Sequence, residues 1–151
     1  MDVKDIFLAQ LNTFQENTWF VSLRNAIDGL TEEQANWKPN ETNNSIFEEV
    51  NHLLFYNQRY LNRFKDIPNE RNTDDNTFRN KAALDWNEAV QRLNTIMVEW
   101  KNVVEASDSD KLEEFAPELA HLTLHTTYHT GQILYIRKLQ GSWNAKDGVK
   151  G

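Results

Sequence analysis

The chain has 151 residues, of which 39% are hydrophobic and 11% aromatic, enough to build the core of one ordinary domain. Its formal net charge of −7 offers no basic surface for a phosphate backbone, so we expect no nucleic-acid partner. It contains no cysteine, which excludes disulfides, thiolate metal sites and a cysteine nucleophile.

A first long helix is predicted near the N-terminus. Apolar residues recur at intervals of three and four between Val3 and Leu30, with one slip after Phe14, which is typical of an amphipathic helix. Glycine is a frequent helix stop, so the helix is expected to end near Asp28 and Gly29. This pattern predicts one continuous helix over that part of the chain.

A short capped turn is predicted to follow the first helix. Thr31 and Gln34 have the spacing of a capping box, and Pro39 would break the helical turn that they begin. We interpret this stretch as a structured crossover to the next helix.

The second helix is expected to begin at Ser45, because Glu48 completes another capping box. It should run through Phe64 towards Pro68. The stretch 69–80 is rich in Asn, Asp, Arg and Thr, which predicts a solvated loop.

The third helix has the most regular pattern in the chain. Apolar residues follow one another in steps of three and four from Ala83 to Val104, as the seam of a helical bundle requires. Trp86 and Trp100 lie on this seam and are expected in the core. The polar stretch 107–110 then interrupts the pattern.

The fourth helix is expected to begin at Pro117, which fits the first helical position, and to end near Gln140 with Gly141 as its stop. Four helices joined by two long crossovers account for nearly the whole chain. The prediction is therefore an all-α four-helix bundle, with residues 1–151 forming a single domain.

No targeting or membrane segment is visible in the sequence. The N-terminus has no charged and then apolar signal region, and no apolar run approaches the roughly 20 residues of a membrane-spanning helix. We expect a cytoplasmic protein with no membrane partner.

Three of the four histidines, His121, His125 and His129, lie four residues apart on the fourth helix and share one face. That face is expected to pack into the bundle. On a helical wheel it also holds Tyr128, Gln132, Ile136 and Leu139. The opposite side holds Thr123, Thr126, Thr130 and Arg137.

Buried imidazoles without a partner lose their hydrogen bonds to water, and a bound metal accounts for a cluster of three better than isolated core histidines do. His125 and His129 have the spacing to ligate one cation, and His52 is the candidate for a third ligand. His52 lies to one side of the apolar stripe of its helix, so an ordinary surface histidine is the alternative.

A metalloprotease is excluded by the residue after each histidine. The zincin signature needs Glu directly after the first histidine, whereas Thr126 follows His125. Glu48, Glu49 and Glu118 are nearby carboxylates, although each could simply favour a helix N-terminus.

The segment from His125 to Ile133, with Gly131 and Gln132 after the second histidine, resembles the signature of the last metal-binding helix in the DinB-like family. The stretches 30–39 and 44–46, followed by a histidine on the next helix, are also similar to that family. The resemblance implies a four-helix bundle of the DinB-like type with long crossover connections, often found as a homodimer.

The same resemblance implies a divalent ion on His52, His125 and His129. His121 matches no ligand of that pattern and is expected beside the site. Thr130 stands where many members have arginine before Gly-Gln, so no cationic role carries over to this position. Three imidazoles suit several divalent ions, of which we expect zinc or nickel.

The resemblance implies less about the reaction, although some members are similar to thiol transferases. One hypothesis is a metal-dependent transferase or hydrolase that acts on a small molecule, such as a low-molecular-weight thiol. Its pocket would include Tyr56, Arg59, His121 and Gln132. The alternatives are a non-catalytic stress-linked module with a structural or sensory metal, and an interaction bundle in which the histidines are polar core residues.

Overall fold

The protein is all-helical in a computed structural model that describes residues 1–150. Residues 1–150 contain no strand, which confirms the predicted all-α class. A short 3-10 helix, Ala145–Asp147, follows the last α-helix. The α-helices are α1 (Val3–Asn12), α2 (Leu23–Ile27), α3 (Glu32–Asn36), α4 (Ile46–Phe64), α5 (Trp86–Ala106), α6 (Ser109–Glu114) and α7 (Ala116–Leu139).

The long helices pack around one hydrophobic core. Helix α4 packs against both α5 and α7, while α1 closes the bundle against α5 and α7 and α2 lies on α7. Trp86 and Trp100 are buried in this core, as their places in the seam predicted. No helix within residues 1–150 has the length and apolar character that crossing a membrane would require.

The prediction of one long first helix is wrong, because α1 ends at Asn12 and α2 begins only at Leu23. In the gap, Oδ1 of Asn17 accepts hydrogen bonds from the backbone N–H of Ser22 and from Nδ2 of Asn25, both at 2.9 Å. The Ser22 hydroxyl oxygen then caps α2 by accepting from the N–H of Asn25 at 3.1 Å. Short polar side chains thus bind backbone groups that a continuous helix would have used.

The predicted caps are confirmed at α3 and α4, where Thr31 and Ser45 each form a complete capping box. Helix α5 begins three residues later than its apolar pattern, because Ala83 has a positive φ of 51° and Asp85 caps the helix. Helix α7 ends where predicted, and Gly141 follows it with a φ of 79°.

The predicted inward face of α7 is wrong in part, because His129 and Ile136 of that face are buried but other members are not. The threonines and Arg137 of the supposed outer side are buried, whereas His121, Tyr128 and Leu139 are exposed. Threonine can be buried here because its hydroxyl is satisfied within the helix: Thr130 donates to the Thr126 carbonyl at 2.7 Å. The histidines therefore lie along the border of the buried face of α7 and not at its centre.

Candidate metal centre

Three histidine side chains meet where the middle of α4 faces α7. Nε2 of His125 lies 3.0 Å from Nε2 of His52 and 3.1 Å from Nε2 of His129. The ligating nitrogen atoms all lie within 4.8 Å of one another, so the three residues could hold a metal ion. His121, one turn earlier on α7, is not part of this cluster.

His52 is buried, with only 8% of its surface exposed, so the surface-histidine alternative is wrong. The loop after α4 folds back over the ring. Oγ1 of Thr77 lies 2.7 Å from Nδ1 of His52, and the Phe78 ring stacks on the imidazole at 4.1 Å with 4° between the planes. Nδ2 of Asn51 donates to the Phe78 carbonyl at 3.3 Å, which fastens the loop to α4.

His129 is held from behind by a carboxylate. Nδ1 of His129 lies 2.5 Å from Oε2 of Glu49, and both side chains are buried. Because an ionised carboxylate only accepts hydrogen bonds, the ring proton belongs on Nδ1 and the Nε2 lone pair faces the cluster. Contacts of this kind orient metal-binding histidines in proteins.

Gln132, predicted as a pocket residue, lies at the Nδ1 edge of the His129 ring. In the amide orientation that satisfies both ends, its Nε2 lies 2.9 Å from Nδ1 of His129 and donates to the two carboxylate oxygens of Glu49 at 3.2 and 3.1 Å. Its Oε1 accepts from the Tyr128 hydroxyl at 3.1 Å. Gln132 therefore supports the carboxylate that holds His129.

Burial and repulsion between neighbouring imidazoles favour the neutral forms of His52 and His125. Burial, together with positive charge on His129 and His125, lowers the pKa of His52 to about 4. Burial likewise lowers the pKa of His125. Neutral imidazole is the form that ligates a metal.

The donor set fits a divalent cation. The Nε2 atom of His125 has two Nε2 neighbours, on His52 and on His129. If all three rings are neutral and the His129 proton is on Nδ1, at most one of these two contacts can be a hydrogen bond, because the Nε2 atom of His125 can take part in only one N–H···N bond. A cation would instead meet all three lone pairs. The observed separations approach the ~3.3 Å between two nitrogens on a tetrahedral zinc ion, given bonds of about 2.0–2.1 Å.

A cavity of about 400 Å³ opens beside His125, between α4 and the first turns of α7. Tyr56 and His121, both predicted as pocket residues, line it. The Tyr56 ring packs edge-on against His52 and His125, with centroid distances of 4.9 and 5.3 Å. Arg59 points elsewhere, since its guanidinium contacts the Phe55 ring and the Glu70 carbonyl.

The sequence did not identify the residues that contact the histidines from behind. Thr77 and Phe78 stand at the end of a polar loop, and their only signal is a lone aromatic residue in that stretch. The sequence predicts Glu49 as a carboxylate near the histidines, with a helix N-terminal role as the alternative, but does not assign it a partner. Its contact with His129 depends on how α4 packs against α7, which no local pattern specifies.

Comparison with known proteins identifies the family. A sequence model described as the DinB superfamily matches residues 16–133, a range that contains all three histidines, Glu49 and Thr77. No curated protein and no solved structure gives a significant match. Because the matched range covers well over half of the chain and carries the histidine cluster, the chain belongs to the DinB superfamily.

Proposed function

We propose that the chain is a metal-dependent transferase or hydrolase of small molecules, with low-molecular-weight thiol transfer as the reaction class that fits best. The observation that carries the proposal is the convergence of three Nε2 atoms whose outer two rings are fixed at Nδ1 by Glu49 and Thr77. A site preorganised in this way, with a cavity next to it, is typical of a catalytic metal centre and not of a chance cluster.

His52, His125 and His129 would hold the ion, and we propose zinc or nickel, since imidazole suits both. An ion held by three protein ligands would act as a Lewis acid and lower the pKa of a thiol or water in its remaining coordination position.

The chain's own residues have separate tasks in this proposal. Glu49 keeps the proton of His129 on Nδ1, and Tyr56 lines the cavity while its ring packs against His52 and His125. His121 is exposed in that cavity, where its imidazole can accept the proton that a thiol releases. Sulfur then forms a bond to the electrophilic carbon, and the leaving group departs with its electron pair.

A homodimer is part of the proposal, and α7 offers the surface for it. Four apolar side chains, 50–66% exposed, form one stripe along this helix: Leu124, Tyr128, Tyr135 and Leu139. If a second copy packs antiparallel across Gly131, leucine meets leucine and tyrosine meets tyrosine, so the stripe is self-complementary. Tyr135→Glu should then give a monomer in analytical ultracentrifugation, whereas an unchanged molar mass would exclude this surface.

The experiment for the proposed activity compares two histidine variants of untagged protein. His129→Ala should lose the bound divalent ion and, with it, the transfer of a bacillithiol-type thiol to a fluorogenic electrophile. His121→Ala should keep the ion while transfer slows. Equal transfer by metal-free and metal-loaded wild-type protein would overturn the mechanism.

A second candidate function is a stress-linked binding module with a structural or sensory metal. The burial of His52 and His129 favours it, because an ion that joins two buried side chains would stabilise the packing of α4 against α7. In this case chelation lowers the melting temperature strongly, and neither thiol nor electrophile changes the spectrum of a cobalt-substituted site. A thiol-dependent change in that spectrum would instead favour the enzyme.

A further inference from the structure

The residues that line the cavity beside His125 limit the chemical class of ligand that the cavity can bind. It is lined by Tyr56, Tyr60, Pro117, Glu118, His121, Leu122 and His125. Two phenol rings, a proline and a leucine make most of this wall apolar, which suits an aromatic or aliphatic body. The volume of about 400 Å³ lies at the lower end of the range for small-molecule sites.

The charge of Glu118 disfavours an anionic ligand group at its end of the cavity. Glu118 supplies the one carboxylate of the lining, and no lysine or arginine lines the cavity. Arg63 stands over the Tyr60 ring at 5.3 Å but lies outside the lining. A carboxylate or phosphate entering this cavity would lose water and meet a like charge.

The polar groups of the wall are free to receive a ligand. Within residues 1–150, neither the Glu118 carboxylate nor the His121 ring has a hydrogen-bond partner, and the same holds for the two phenol groups. Glu118 is half-buried, so its carboxylate is partly withdrawn from water. Partly desolvated carboxylates beside aromatic rings are suited to ammonium groups, through an ion pair and cation–π attraction.

The helices set a length for the ligand. Glu118 and His125 lie seven residues apart on α7, which corresponds to about 10 Å along the helix axis. Tyr56 and Tyr60 run alongside on α4, with Tyr56 at the histidine cluster. An elongated ligand can therefore place one end at Glu118 and the other at the metal centre.

We propose that this cavity binds a protonated amine with an apolar, preferably aromatic, body, its ammonium at Glu118 and its far end at the histidine cluster. This inference rests on the proposed function in one respect, since it makes such an amine the electrophilic substrate. The thiol sulfur would reach the metal centre at the inner end of the cavity, whose lining includes His121, and the rest of the thiol would stay outside the cavity.

The test uses metal-loaded wild-type protein and three probes that share a phenethyl body: phenethylamine, phenethyl alcohol and hydrocinnamate. Isothermal titration calorimetry should show the amine binding about tenfold more tightly than the alcohol. The carboxylate, which the ion itself would attract, is measured after chelation of the metal and should then bind more weakly than the alcohol. The His121 ring resonances, assigned with His121→Gln, should shift as the amine is added. This shift places the binding in the cavity.

The Glu118→Gln variant should bring the amine and the alcohol within about twofold of each other. The matched control is Glu113→Gln, which removes the same charge from an exposed position on α6 and should leave the preference unchanged. Equal binding of the three probes by wild-type protein, or a preference that survives Glu118→Gln, would overturn the inference.

Metal content measured on the same samples separates this inference from the proposed function. Amine binding that depends on Glu118 in a protein without thiol transfer supports the cavity assignment and contradicts the proposed activity. Metal-dependent transfer without any preference for amines gives the opposite result and overturns the cavity assignment alone.

Discussion

Glu48 and Glu49 are consecutive residues of α4, yet their carboxylates bind different partners. Glu48 accepts a hydrogen bond from the Ser45 backbone and pairs with Lys38 at 2.7 Å, on the surface. Glu49 is buried and holds Nδ1 of His129. The two residues are of the same type and lie on the same helix, so a substitution of Glu48 can serve as the control for the same substitution of Glu49.

Glu49→Gln should weaken zinc binding by about 10–100-fold, because a neutral amide no longer holds the His129 proton on Nδ1 as firmly. Glu48→Gln, which changes only the helix N-terminus and a surface ion pair, should weaken it by less than about threefold. Competition titration with a chromophoric chelator measures both affinities. Equal losses in the two variants would show that net charge, and not the contact with His129, controls affinity.

Thr77→Val should remove the partner of the buried Nδ1 atom of His52 while preserving the shape of the side chain. We expect the free energy of unfolding of the metal-free protein to fall by about 1–3 kcal/mol, since a buried polar atom loses its hydrogen bond. Thr77→Val should also weaken zinc binding, because His52 loses the contact that orients its ring. Thr77→Ser keeps the hydroxyl and should recover most of both losses. Urea unfolding and chelator competition provide the measurements, and a Ser variant as impaired as Val would contradict the role of the hydroxyl.

The sequence predicted those parts of the fold that depend on local chemistry. Capping boxes at Thr31 and Ser45 could be read directly, since each uses two side chains three residues apart. The spacing of His125 and His129 on one helix likewise predicted their proximity. These features require no knowledge of how the helices pack.

The failures have tertiary causes. The apolar period from Val3 to Leu30 marked buried positions but could not reveal that Asn17 binds the backbone of a separate helix. The wheel of α7 counted threonine and arginine as polar, whereas Thr126 and Arg137 are buried with their hydrogen bonds satisfied. A polar side chain can therefore be buried when protein groups, and not water, supply its hydrogen-bond partners.

Arg137 tests this point, because its guanidinium donates to the carbonyls of Ala26 at 2.9 Å and Ser142 at 3.2 Å. Arg137→Met should lower the free energy of unfolding by about 3 kcal/mol, since carbonyls at the end of α2 lose a charged donor. The exposed neighbour Lys138 is the control, and Lys138→Met should change stability by less than about 0.5 kcal/mol. If Arg137→Met and Lys138→Met changed thermal stability by similar amounts, Arg137 would act only through its charge.

Alanine substitutions at Gly131, inside α7, and at Gly141, just after its C-terminus, should change the free energy of unfolding in opposite directions. Gly131 lies inside the helix, and an added Cβ would meet nothing within 4 Å, so Gly131→Ala should stabilise the monomer by roughly 0.5–1 kcal/mol. Gly141 has a φ of 79°, so Gly141→Ala should cost about 1 kcal/mol or more. Chemical unfolding at low protein concentration measures both changes.

The same Gly131→Ala variant also tests the proposed antiparallel dimer. In that arrangement Gly131 lies at the crossing point of the two α7 helices, where a methyl group on each copy would push the backbones apart. The variant should therefore raise the stability of the monomer while weakening dimerisation in sedimentation equilibrium. A variant that dimerises as tightly as the wild type would place the interface away from Gly131, because helices that cross at a glycine approach too closely to accept two added methyl groups.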